Sequence, residues 1–180
     1  NRHRVMIKKN IKEPDLVTPP APKVRFGERF IGEGSPVLII AEIGINHEGD
    51  PAVCEEMIKA AARAGADSIK LQTIDPDENY VVGTESYSIF SKSTLTKDQT
   101  EKMFDLSRKL DLEPFTTAGD FATIDWVDKL EPSGHKISSG LFTNIPIIRH
   151  TAKKMKPLIM STGMASYDEI DEAVQAAKDS

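Results

Sequence analysis

The chain has a single cysteine, Cys54, so no internal disulfide can form. It also lacks any apolar run near the ~18 residues that a membrane-spanning helix needs. No signal-like apolar segment stands near its start, so a cytoplasmic location and no membrane partner are expected. Basic residues are the minority: 23 Lys and Arg against 28 Asp and Glu leave a net charge of −5. That balance argues against a nucleic-acid partner, which needs a broad basic face. A small anion in a locally basic pocket remains compatible with it. Histidines are scarce, and His47, His135 and His150 show no close ligand spacing, so no metal site is expected within this segment. A glycine-rich dinucleotide fingerprint is missing too, because Glu42 to His47 lacks the second and third glycines.

What is present has a strong rhythm. Residues 1–22 carry Arg2, Arg4, Lys8 and Lys9, then Pro14, Pro19, Pro20 and Pro22, and read as a linker or disordered arm. Lys23 to Ile31 reads as two short strands turning at Gly27 and Glu28, a hairpin able to plug the bottom of a barrel. A first buried strand is expected over Val37 to Gly44, since uninterrupted apolar strands suit a parallel sheet covered on both faces. Asp50-Pro51 starts a helix to Ala64, with a cap and a first-turn proline. Strands then follow at Ser68–Thr73, Glu113–Thr117, His135–Ser138 and Leu158–Ser161. Helices are expected near 97–110, 121–130, 145–155 and from Ser166 almost to Ser180. Thr96 with Gln99, and Ser166 with Glu169, match capping boxes. Strict alternation demands a mainly parallel sheet. The expectation is an α/β fold, a (β/α)8 TIM barrel truncated after about five βα units with an N-terminal β-hairpin; such barrels usually need ~250 residues. The barrel part spans 23–180.

The carboxyl ends of these strands carry the chemistry. Glu42, Asn46 and His47 follow the first, Lys70 and Gln72 lie on the second, Thr116 and Thr117 on the third. Lys136, Ser138 and Ser139 belong to the fourth, Ser161 and Thr162 to the fifth. A lysine inside a buried parallel strand is costly unless it faces an anion or a polar cavity. Two of them with several hydroxyls read as a phosphate or carboxylate site. Thr116, Ser138 and Thr162 are expected to cap helices or bond loop backbone, and His47 to be a hydrogen-bonding partner. Cys54 reads as helix packing. The long connection from Ile74 to Leu95 reads as a lid.

Ile40-Ala-Glu-Ile-Gly-Ile-Asn-His-Glu-Gly49 resembles the opening motif of the sialic acid synthase family. Ala64-Gly-Ala-Asp-Ser-Ile-Lys-Leu-Gln-Thr73, His135-Lys-Ile-Ser-Ser-Gly140 and Pro157-Leu-Ile-Met-Ser-Thr-Gly-Met164 are similar to its later strands, in the same order. The resemblance covers residues 26–180. It implies condensation of phosphoenolpyruvate with an N-acylated amino sugar, N-acetylmannosamine or a relative, giving a sialic acid-type nonulosonic acid and phosphate. It also implies roles: Lys70 and Lys136 on phosphoenolpyruvate; Thr117, Ser139 and Ser161 as its hydroxyl contacts; Glu42 and Gln72 on the acceptor. A divalent metal, manganese or magnesium, would polarise the acceptor aldehyde, with its ligands outside this chain. The C-terminal strands and an antifreeze-like domain are absent, so this segment alone is expected to be inactive and its full-length parent a homodimer. Leu141 stands where the family commonly has an acid, which leaves the acceptor sugar open. Two other readings fit the residues: a Schiff-base aldolase using Lys70 or Lys136, and a non-catalytic half-barrel that binds anions.

Overall fold

In a computed structural model, residues 22–180 are described. The expected linker therefore lies outside the described residues up to position 21. The chain then forms a hairpin, β1 (Val24–Phe26) and β2 (Arg29–Ile31), paired antiparallel with Phe26 opposite Arg29. A wall of strand-helix units follows. Its strands are β3 (Ile40–Gly44), β4 (Ser68–Thr73), β5 (Glu113–Ala118), β6 (His135–Ile137) and β7 (Leu158–Met160). All neighbours pair in parallel, and spatial order follows chain order without reversal. Doubly wound sheets reverse their order at a switch point; this sheet is wound in one direction only. The fold is thus α/β with a five-stranded parallel sheet and an antiparallel hairpin, and the described residues form an open wall.

Local chemistry accounts for the helices. In α1 (Pro51–Arg63) the Asp50 carboxylate accepts from the N–H groups of Ala52 and Val53, and Gly65 turns the chain out at φ +81°. Both capping boxes form, Thr96 with Gln99 before the 97–109 helix and Ser166 with Glu169 before the 167–178 helix. The connection over 74–95 departs from expectation. It contains two helices, α2 (Pro76–Asn79) and α3 (Glu85–Ser93). Asp75-Pro76 repeats the cap-plus-proline signal of Asp50-Pro51, so this helix start was readable. The remaining helices are α4 (Lys97–Lys109), α5 (Phe121–Asp128), α6 (Ile145–Ala152) and α7 (Tyr167–Lys178).

Side chains alternate along strands, so each strand serves two faces. One face meets the helices. Ile43, Ile69 and Leu71 pack with Cys54, Ile58, Met103 and Phe104, while Ala118 and Ile137 pack with Ile124, Ile147, Ile148 and Ala173. The opposite face carries Lys70, Gln72, Phe115, Thr117 and Lys136. The first strand is shorter than expected, starting at Ile40 instead of Val37. Its Val37 is 79% exposed. It is an edge strand with a single partner, so the Val37–Ile39 segment has no second ladder to join. Ile39 is nonetheless tied by Asp67, whose Oδ2 accepts from the Ile39 N–H at 2.7 Å.

The hairpin sits at the amino ends of the strands, as expected of a plug. Phe26 is fully buried and meets Phe115 edge-on, centroids 5.2 Å apart. Glu113 holds the turn: its Oε1 accepts from the Glu28 N–H at 2.7 Å and its Oε2 from Ser133 at 2.6 Å. Arg29 pairs with Asp67 at 3.1 Å and with Asp111 at 3.2 Å.

Candidate functional site

The parallel register aligns the ionisable residues in rows. Glu42 lies opposite Lys70 across the first strand pair. Gln72 lies opposite Thr117 across the next, and Thr117 opposite Lys136 across the third. Directly opposed residues of a parallel pair share a face, so Glu42, Lys70, Gln72, Thr117 and Lys136 converge on the side away from the helices.

The contacts agree with that placement. Lys70 is 7% exposed, and its Nζ donates to Glu42 Oε1 at 2.7 Å. The Glu42 side chain is 60% exposed, so one end of the pair faces solvent. A β-carbon at Gly44 would lie 3.3 Å from Glu42 Oε1 and 4.0 Å from Gln72 Oε1. Those two side chains therefore aim at the same spot beside the bulge between Glu42 and Gly44. Lys136 Nζ donates to Ser161 Oγ at 2.6 Å and to the Ile137 carbonyl at 2.8 Å. Burial pushes the Lys136 ammonium below the usual lysine range, Lys70 pushes the same way, and Glu42 opposes both. The two lysines thus lie near enough for Lys70 and its partner Glu42 both to act on Lys136. Thr117 is buried, and its hydroxyl has no side-chain partner among the described residues. Ser139 opens the 3-10 turn Ser139–Leu141 beyond β6.

Other candidates fall away from this face. Thr116 bonds Thr73 hydroxyl to hydroxyl at 2.9 Å on the helix side, a packing role. His47 is buried and accepts from the Gly49 N–H through Nδ1 at 3.1 Å; burial lowers its pKa. His135 is also depressed by burial, against the pull of Asp128 at 3.0 Å. Cys54 is fully buried in α1 and its thiol is pushed up to about 12, which leaves it inert at neutral pH. Leu141 joins the apolar cluster around Phe142 and Ile148. Among the described residues, no group of three His, Cys, Asp or Glu could hold a metal ion.

The 74–95 segment is fastened at both ends. Asn79 Nδ2 donates to Asp120 at 3.3 Å, beside the β5 tip. A β-carbon at Gly49 would fall 2.2 Å from the Lys92 carbonyl, so the end of α3 rests against the loop after β3. Tyr80 stacks on Phe90 at 4.7 Å, and Tyr87 donates to Asp77 at 2.8 Å. The aromatic side chains of this segment are thus engaged with the segment itself. A cavity of about 690 Å³ lies at the other end of the wall, between Gly27, Glu113, Ser133 and Pro157. The lysine site opens where the strands end, the customary position for ligands in α/β sheets. Phe26 and Phe115, on the hairpin side of this face, meet across a distance in sequence that no local signal bridges.

Comparison with known proteins adds an independent line. The model of the NeuB family matches residues 57–180. An uncharacterized protein of Methanocaldococcus jannaschii is 35% identical over 85% of this chain and 45% of its own length. The N,N'-diacetyllegionaminic acid synthase of Legionella pneumophila is 32% identical, over 82% of this chain and 45% of that protein. Among solved structures, the N-acetylneuraminic acid (sialic acid) synthetase of Leptospira borgpetersenii, in complex with citrate, superposes with a TM-score of 0.84. It is 30% identical, with 88% of this chain and 55% of that one covered. The chain spans about half the length of the curated relatives it matches.

Proposed function

The chain belongs to the NeuB family of sialic acid-type synthases, and from that premise we propose that the protein carrying it joins phosphoenolpyruvate to an N-acylated amino sugar. The observation that supports this most is the convergence of Lys70 and Lys136, from different strands, on one polar face. A ligand with both a phosphate and a carboxylate suits two neighbouring ammonium groups, each a compact point charge. Thr117, Ser139 and Ser161 add directed hydrogen bonds. Glu42 and Gln72, aimed together at the solvent side, hold the acceptor.

In this reading the methylene carbon of phosphoenolpyruvate attacks the acceptor aldehyde carbon, forming the new carbon–carbon bond. Water adds at the neighbouring carbon, and the carbon–oxygen bond to phosphate then breaks, releasing inorganic phosphate. The lysines bind and orient the anion through both steps, and their charge stabilises the departing phosphate. Ligands for manganese or magnesium are proposed to lie outside this chain. Closure of the open wall into a (β/α)8 barrel, homodimer assembly, cytoplasmic location and inactivity of the isolated segment belong to the same proposal.

The depressed Lys136 gives one reason to weigh a Schiff-base aldolase, since a neutral amine is the required nucleophile. Against it, Lys136 Nζ donates to two acceptors, an arrangement that suits the ammonium. The test is to incubate the complete protein with phosphoenolpyruvate and N-acetylmannosamine or its 2,4-diacetamido relatives, and to measure phosphate release. Release is expected only with both substrates, and weakened at sub-saturating phosphoenolpyruvate in Lys70→Ala and Lys136→Ala. Phosphate release unchanged in both variants would sink the reading, and borohydride trapping of a keto substrate on either lysine would favour the aldolase.

A further inference from the structure

The polar site and the basal cavity lie at opposite ends of the same strand face, and two phenylalanines stand between them. Phe115 is the direct cross-strand neighbour of Lys70 and lies two residues before Thr117, the partner of Lys136, so it stands level with Lys70 and one row below Lys136. Phe26 reaches up from the hairpin, fully buried, and meets Phe115 at an interplanar angle of 88°. Below them the cavity of about 690 Å³ is lined by Gly27, the residue after Phe26, and by Glu113, two residues before Phe115 on the same face. Its rim is charged, with Arg25, Glu28, Arg108 and Lys156, a lining that favours water over an apolar occupant. The fit above the cavity is close: a β-carbon at Gly134 would come within 2.6 Å of the Phe26 ring.

We propose that the Phe26–Phe115 pair is a seal that keeps the water of the basal cavity from the lysine site, which makes Phe26 a positioning residue for an anion it does not touch. The proposal rests on reading Lys70 and Lys136 as the anion site. A dry floor strengthens every charge interaction above it, because the local dielectric stays low. Such a floor also accounts for burial being the largest cause of the Lys136 depression. The charged groups facing Lys136 are Lys70 on β4 and Glu42 on β3, with Ser161 Oγ as its neutral partner. Glu113 lies on the far side of the seal, its carboxylate occupied by Ser133 and the hairpin turn. The hairpin would thus do more than close the end of the wall. Its single buried ring would set how strongly the opposite end holds an anion, and over what pH range.

The experiment titrates the complete protein with phosphoenolpyruvate by calorimetry, across pH and at two salt concentrations. Binding by the parent should fade as pH rises through a midpoint below the ordinary lysine value of ~10.4. In Phe26→Ala, admitted water should weaken neutral-pH binding by about threefold to tenfold, steepen its salt dependence and move the alkaline midpoint upward. Phe26→Leu, which keeps most of the apolar volume, should behave as the parent. Phe26→Val supplies an intermediate shift and carries the test if the alanine variant does not fold. A folded alanine or valine variant with the parental midpoint and salt dependence overturns the seal. Lys136→Ala separates the two ideas: unchanged phosphoenolpyruvate binding there overturns the anion-site reading itself, whereas lost binding there with unmoved Phe26 variants overturns the seal alone.

Discussion

Glu42 and Lys70 face each other across the first parallel strand pair and form an ion pair 2.7 Å long with unequal ends. The lysine side chain is 8% exposed and the carboxylate 60%. A buried cation with its partner at the solvent edge suits a site that trades one counter-charge for another. Under the proposed function, an anion entering from the strand tips would meet a lysine already partnered by Glu42, and that carboxylate would be able to turn toward a second substrate.

Replacing Lys70 with alanine in the complete protein should raise the phosphoenolpyruvate KM tenfold to a hundredfold, with a smaller effect on the acceptor. A charge-assisted contact contributes roughly 1.5–3 kcal/mol, which sets that scale. Steady-state kinetics with each substrate varied in turn would decide, and an unchanged phosphoenolpyruvate KM would remove Lys70 from the site.

Glu42→Gln should have the opposite signature. It releases Lys70 from its counter-charge, so phosphoenolpyruvate binding should hold or tighten while the acceptor KM rises. Equal weakening toward both substrates would mean that Glu42 only supports Lys70.

Phosphoenolpyruvate binding should also be lost at alkaline pH earlier than an ordinary lysine would dictate. Lys136 is held below the usual range by burial and then by Lys70, so its charge, and with it the attraction for an anion, disappears as pH rises through that depressed value. The same depression has a sign for stability. Keeping Lys136 protonated opposes folding at pH below its folded pKa, and that cost falls away as pH rises toward the unfolded value. Lys136→Met should therefore leave thermal stability at neutral pH equal or higher while weakening the anion site. A clear loss of Tm in this variant, seen by differential scanning calorimetry, would mean that its bonds to Ser161 and Ile137 outweigh the desolvation.

Gly27→Ala should destabilise the hairpin by more than about 1 kcal/mol. Gly27 has φ +60°, and a β-carbon there would fall 1.7 Å from Glu113 Oε2. Both the backbone and the clasp must give. Denaturant midpoints would measure the loss, and a variant within error of the parent would show that Glu113 does not anchor the turn.

Motion over the strand tips should be confined to the turn between α2 and α3. Val81 and Val82 are 76% and 72% exposed, and Gly83 has φ +91°, whereas Asn79 and Lys92 fasten the flanks. Amides over 81–84 should exchange fast in the free protein and slow when both substrates are bound. Exchange over 81–84 that ligands leave unaltered would make the whole segment scaffold.

Much of this wall was readable in one dimension, because its signals are local. Asp50 before Pro51, Thr96 with Gln99 and Ser166 with Glu169 each satisfy orphan N–H groups within one helical turn, so the residues that make the cap sit side by side in the chain. Alternation likewise placed Lys70 and Gln72 on one face of β4. What the sequence alone could not determine was which strands lie beside which, since register is a relation between segments far apart in the chain. Only the tertiary structure set Thr117 opposite Lys136 and turned Thr116 to Thr73. It also started β3 only at Ile40, since an edge strand has one partner instead of two, although the apolar run begins at Val37. The buried contact of Phe26 with Phe115 lies furthest from local reading. Two rings 89 positions apart meet because the hairpin is clasped by Glu113, and a clasp made by packing and one carboxylate leaves no periodic trace in the sequence.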